Sequence, residues 1–216
     1  MDPIFVIAPI TFLVIMIGFQ VGLLVYGYHR VEQGQALFVN KMNNETDVRF
    51  TGGVVIPFLH RAELIDISDK TIDIELMGRE GVTCRDHVRV DIRMSFQLRI
   101  PAAADNVRTV AQRLGCAQAG DPNALHARFA PKFIEALRTA AQHCDFDDLS
   151  KPRLAYKDDV VSLIGQDLDG FILCDASLLH LEPTPFEHLD PTSPLDAAGI
   201  RTLESLGMAI PEAPRA

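Results

Sequence analysis

From Pro3 to Tyr26 the chain runs 24 residues without a charged side chain, interrupted only by Thr11, Gln20 and two glycines. As a helix rising about 1.5 Å per residue this stretch is roughly 36 Å long, enough to cross a hydrocarbon core of about 30 Å with some tilt. A secretory signal would need a basic start, a shorter apolar core and a small-x-small cleavage site. Here the chain opens Met-Asp-Pro and leaves the apolar run through Gly27, Tyr28, His29 and Arg30, so the expectation is an uncleaved anchor. Arg30, Lys41, Arg49 and Arg61 come after the span and no basic residue precedes it, which by the positive-inside rule places the large domain in the cytoplasm and the N-terminus outside. Tyr26 and Tyr28 suit the interface, and Gln20 is a polar residue that an apolar span tolerates or that bonds a neighbouring helix.

The remainder of the chain is globular. At 48% hydrophobic and 23% charged residues, the protein is neither disordered nor built mostly within a bilayer, and about 190 residues outside the span make one medium domain or two small ones. With 20 Lys and Arg against 29 Asp and Glu the net charge is −9, of which about −8 lies beyond the span. Nucleic acid is excluded as a partner by this balance, because phosphate binding relies on a basic face. Four cysteines (Cys84, Cys116, Cys144, Cys174) lie about 30 residues apart without a CxxC pair, which reads as reduced, mostly buried thiols rather than a disulfide framework.

The pattern divides into a β-rich half and a helical half, an α+β class. Strands are expected at Gln35 to Lys41, Val54 to Leu59, Ala62 to Ser68, and where Ile72, Ile74 and Leu76 alternate with acidic residues. Val88, Val90, Ile92, Met94, Phe96, Leu98 and Ile100 hold strict period two with polar residues between, so a long antiparallel strand has one face on a core. The period then becomes helical. Val107, Val110, Ala111 and Leu114 share a face over 103–114 before Gly115. Asp121 and Pro122 start a second helix carrying Leu125, Phe129, Phe133, Leu137 and Ala141, with Pro131 either kinking it or marking its true start. A third helix is expected over 150–168, burying Leu154, Val160, Val161, Leu163 and Ile164 and stopping at Gly170, before a short strand from Phe171 to Leu181 with Ile172, Cys174 and Leu178 inside. The expected segments are an anchor (1–27), a β-rich part (28–101), a helical or mixed part (102–187) and a short helix with its tail (188–216).

No catalytic constellation stands out: GxGxxG, GxxxxGK[ST], HExxH and GxSxG are all missing. The seven histidines are scattered. His143 to Asp148 combines metal-ligating types within six residues, but reads more simply as one helix ending on His and the next opening on acids. Cys84, in the loop Gly81 to His87, is a weak candidate for an exposed redox thiol. No catalytic, cofactor or metal residue is assigned, and an enzyme is not expected.

GQALFVNK, TGGVVIPFLHRAELIDIS, MGREGVTCRDHVRVDIRMSFQLRI, ALHARFAPKFIEALRTAAQHCDFDDL and DLDGFILCDASLLHLEPTP, in this order behind a single span, resemble the stomatin-prohibitin-flotillin (SPFH, band 7) superfamily. HLDPTSPLDAAGIRTL at 188–203 is similar to the segment that enters the long helix of bacterial flotillin-like membrane proteins. The resemblance implies a non-enzymatic membrane-tethered scaffold, with a β-rich subdomain near the bilayer and a second mixed subdomain. A Glu/Ala-rich coiled coil then closes many copies into rings or cages around a membrane microdomain, often beside a membrane partner of the protease-associated NfeD type. In this sequence Gly207, Pro211 and Pro214 end the last helix after roughly 13 residues, short for a coiled coil. Either the sequence belongs to a longer chain or it is a short form without that device, leaving packing between sheet domains.

Beyond the span, Phe58 and Leu59 are the candidate membrane contacts, dipping into the inner leaflet beside the anchor; the alternative is packing inside the domain. Two functional classes are compatible with these features: a scaffold organising membrane proteins or lipids through many identical copies, or an anchored regulatory subunit binding one membrane partner such as a protease.

Overall fold

The computed structural model describes residues 12, 13, 15–18, 20, 22, 28–29, 31–41, 46–51, 53–54, 60–150, 153–165 and 167–208. Phe58 and Leu59 lie outside the described residues, as does most of the apolar run. Its described positions between 12 and 22 are helical, and among the described residues no helix is long and apolar enough to cross a membrane. Tyr28, read as an interface residue, lies in a two-residue strand, β1 (Tyr28–His29).

The chain forms two compact units, each assembled from two separate stretches. The first takes residues 1–68 and 100–120; the second takes 69–99 and 121–216. The change near residue 101 therefore coincides with a passage of the chain between units, at 99/100, and further passages fall at 68/69 and 120/121.

In the first unit, β2 (Gln35–Lys41) lies between β3 (Thr46–Arg49) and β5 (His60–Asp66), all antiparallel, while β1 pairs with β4 (Gly53–Val54). Consecutive Ala36 and Leu37 are both buried, so both faces of the central strand are covered. Helix α1 (Ala104–Arg113) packs on β2 and β3 through the expected Val107 and Val110, and α2 (Cys116–Ala119) packs on β5.

In the second unit, β8 (Arg89–Arg99) is the central strand, with β6 (Lys70–Leu76) and β7 (Val82–Thr83) on one side and β9 (Ile172–Pro183) on the other. All seven apolar residues from Val88 to Ile100 are buried. Asp121 caps α3 (Pro122–His143) by accepting from the Asn123 amide at 3.0 Å, with Pro122 at the first position. The helix runs unbroken through Pro131, which does not mark its start, and buries Leu125, Phe129, Phe133, Leu137 and Ala141 as expected. Phe133 stacks on Phe96 of β8 at 4.5 Å between ring centroids, and Phe129 meets Phe171 edge-on at 5.5 Å. After α4 (Phe146–Ser150) comes α5 (Arg153–Ile164), and the chain ends its described course in α6 (Pro194–Ser205).

Two expectations are corrected. Helix α5 stops at Gly165, whose φ of +70° only glycine adopts freely, and not at Gly170. Its buried face is Tyr156, Val160 and Ile164, while Val161 and Leu163 are exposed; Tyr156 wins the core position because its hydroxyl donates to the Leu137 carbonyl at 2.9 Å. The side chain of Leu154 lies outside the described residues. In β9, Ile172 and Cys174 are exposed and Leu178 is half-buried, with Phe171, Ala176 and Leu181 inside instead. The pairing with β8 skips Cys174 and Leu179, and each extra residue reverses which parity faces the core.

Candidate functional site

The strongest three-dimensional constraints gather where α6 rests on the second unit. The turn between β7 and β8 closes through the Cys84 amide on the Val88 carbonyl (2.8 Å) and the His87 amide on the Cys84 carbonyl (3.1 Å), with His87 at φ +66°, a left-handed conformation rare outside glycine. Three positions of α6, one turn apart, meet this turn. Asp196 accepts from Arg89 Nη2 at 2.8 Å and from the Asp190 amide at 3.0 Å. Gly199 lies so close that a Cβ there would stand 2.3 Å from the His87 carbonyl oxygen. Thr202 Oγ1 donates toward the Asp86 carbonyl at 3.2 Å, and Leu203 is buried beside it.

A second layer holds the start of β8. Buried Asp91 accepts from the Gly78 amide (2.9 Å) and from Thr184 Oγ1 (2.6 Å), and the Thr184 amide bonds the Arg89 carbonyl (2.9 Å). Gly81 is required here, since a Cβ would approach Thr184 Oγ1 to 2.9 Å. Next to the seat is a cleft of about 490 Å³ lined by Arg79, Arg89, Glu187, His188, Asp190 and Asp196 among others. Two of its carboxylates, Asp190 and Asp196, already serve the fold: the Thr192 hydroxyl and amide, with the charge of Arg79 beyond them, hold Asp190 below the usual carboxylate range.

The other side of the same turn grips the joint between α3 and α4. The Arg85 amide bonds the Cys144 carbonyl (3.0 Å), its guanidinium takes both oxygens of Asp145, and Asp86 accepts from the Phe146 amide (3.0 Å). Arg85 depresses the Asp145 carboxyl, first through their hydrogen bond and then through its charge. His143 to Asp148 is thus a helix end followed by an acidic helix start, as its simpler reading held, and among the described residues no three His, Cys, Asp or Glu side chains are grouped to hold a metal. Cys84 is buried and not exposed; burial first, then the charge of Asp86, pushes its thiol far up. Gln20 is exposed on its helical stretch.

Sequence reasoning missed the seat itself. Arg89 read as one more polar residue on the wet face of a strand, and Asp196 was not singled out. Gly199 was the one available signal, a glycine inside a helix where it costs about 1 kcal/mol against alanine unless something must come close.

The arrangement fixes α6 against the turn between β7 and β8. The sequence matches the SPFH domain / Band 7 family over residues 29–187. It is 28% identical over 180 residues to the flotillin family inner membrane protein YqiK of Escherichia coli (strain K12), covering 82% of this chain and 32% of that protein. It is likewise 28% identical over 184 residues to the flotillin family inner membrane protein sll1021 of Synechocystis, covering 76% of this chain and 26% of that one. The chain thus spans about a third or less of the length of these relatives, and the family match takes in the strands from β2 to β9 with the helices between them. On the extent of this match, the chain belongs to the SPFH domain / Band 7 family.

Proposed function

We propose that this protein is a membrane-anchored, non-enzymatic scaffold subunit of the flotillin type, with its folded head on the inner side of a cell membrane. Like YqiK and sll1021, it works at an inner membrane. The observation that carries this reading is the state of the first helical positions: Phe12, Leu13, Ile15, Met16 and Ile17 are all helical, and their side chains are 44–69% exposed. A run of large apolar side chains left uncovered fits contact with lipid. The run 3–26 is the span, and Phe58 and Leu59 add a second contact with the inner leaflet.

The seat then sets the direction in which α6 leaves the head, so that identical copies present their last helices alike and assemble around a membrane patch. A small membrane protein of the NfeD type or a protease is the partner that such an assembly would accompany. Membrane fractionation followed by an alkaline carbonate wash tests the anchor: the protein should stay in the pellet, and its release would overturn the reading. Crosslinking in native membranes tests the scaffold, which predicts a ladder of identical copies; one hetero-species instead would favour the anchored regulatory subunit.

A further inference from the structure

The turn that seats α6 also lies against the joint between α3 and α4. The Arg85 amide bonds the carbonyl of Cys144, Arg85 pairs with Asp145 through their side chains, and the Asp86 carboxylate takes the Phe146 amide. The Arg85 nitrogen is covalently joined to the Cys84 carbonyl carbon, so its 3.0 Å hydrogen bond to the Cys144 carbonyl brings the backbones of Cys84 and Cys144 together across a single hydrogen bond. A disulfide spans Cα separations of about 4.4–6.8 Å, a reach compatible with two backbones joined in this way. The thiols also share surroundings, because both act electrostatically on the buried Tyr156 hydroxyl. Cys84 is buried and Cys144 half-buried.

We propose that Cys84 and Cys144 form a reversible oxidation site, closing into an intrachain disulfide that stitches the α6-seating turn to the joint between α3 and α4. The oxidant is a peroxide. Cys144, the more accessible, attacks as thiolate: an S–O bond forms, the O–O bond breaks, and the departing hydroxide is protonated to water, leaving a sulfenic acid. The Cys84 thiol then attacks that sulfur, giving up its proton to the departing hydroxide: the S–S bond forms, the S–O and S–H bonds break, and a second water leaves. Two thiols lose two electrons, hydrogen peroxide gains them, and two waters result. Burial and the carboxylates of Asp86, Asp145, Asp148 and Asp159 push both thiols up, against which Arg85 lowers only Cys144. The pair therefore stays reduced at neutral pH until oxidant is abundant.

The test uses the full-length chain, treated with hydrogen peroxide, blocked with N-ethylmaleimide, digested and mapped by mass spectrometry. The expected product is one joined pair of peptides carrying Cys84 and Cys144, two hydrogens lighter than its parts, released by dithiothreitol, and at least ten-fold more abundant than any other pairing. The same treatment in urea should spread the pairings over all four cysteines, and Cys144→Ser should remove the joined pair while Cys84 remains alkylatable after unfolding. Recovery of Cys84 and Cys144 as separate peptides once Cys174 is oxidised would overturn the proposal. So would a link between two copies, or an equal yield of the pair from the unfolded chain.

Discussion

Arg89 at the start of β8 and Asp196 in the first turn of α6 are 107 positions apart in sequence, yet the guanidinium donates to the carboxylate at 2.8 Å with only 20% and 6% of the two side chains exposed. Arg89 Nε is buried with no hydrogen-bond partner among the described residues, so this cation has little water to fall back on. Truncating Asp196 leaves that charge unpaired and also orphans the Asp190 amide. Breaking a fully buried pair costs about 3–5 kcal/mol, and the residual exposure of Arg89 brings the expected loss for Asp196→Ala to about 2–3 kcal/mol. Urea unfolding measures it. Arg89→Met combined with Asp196→Leu should recover much of the loss, because apolar replacement of both partners removes the stranded charge.

Gly199→Ala sets two effects of opposite sign against each other. Alanine raises helix propensity by about 1 kcal/mol over glycine. The new Cβ, however, would stand 2.3 Å from the His87 carbonyl oxygen and 2.9 Å from its carbon, both backbone atoms that cannot swing aside. Overpacking of this kind costs about 1–3 kcal/mol or more, so the clash wins. The variant should melt lower than the wild type, and hydrogen exchange should show α6 losing protection while α3 keeps it. An unchanged melting temperature would mean that α6 does not rest on the turn.

These two residues also mark where the sequence stopped being informative. The seven apolar positions from Val88 to Ile100 were legible because β8 is central, and a fully buried face imposes strict alternation. The same rule misplaced Ile172 and Cys174, since bulges at Cys174 and Leu179 reverse the facing of β9 and leave no mark in composition. In α5 the apolar count favoured Val161 and Leu163, but Tyr156 took the inner face because its hydroxyl found the Leu137 carbonyl. The seat was illegible for a further reason: ion pairing between residues a hundred positions apart has no local periodicity to betray it.

In the first unit, Cys116 is pushed up from an ordinary 9.0 to about 11, by burial first and then by a hydrogen bond to the Glu63 carboxylate and the charge of that group. A thiol whose folded value is raised contributes stability that is fully present below the unfolded value and is lost as pH rises through the folded one. The window here is about pH 9 to 11. Wild type should therefore lose stability over that range relative to Cys116→Ser, whose hydroxyl does not titrate. Chemical denaturation at half-unit steps of pH gives the comparison, and parallel curves for the two proteins would refute it.

Membrane contact by Phe58 and Leu59 competes with ordinary burial inside the domain, and the two part under one substitution. Phe58→Asp with Leu59→Asp introduces two negative charges. At a leaflet surface they would forfeit insertion of two large apolar side chains, each worth about 1.5–3 kcal/mol when fully buried, and add repulsion from anionic lipid. Under the proposed anchoring by the run 3–26, partition would not report on these two side chains, so it is the wrong readout. The right one is a brominated-lipid or spin-label contact assay at positions flanking 58 and 59 in reconstituted full-length protein, read beside circular dichroism. Lost lipid contact with an unchanged spectrum supports membrane insertion. A collapsed spectrum means that the two side chains pack inside the domain, where a buried pair of carboxylates could not be tolerated.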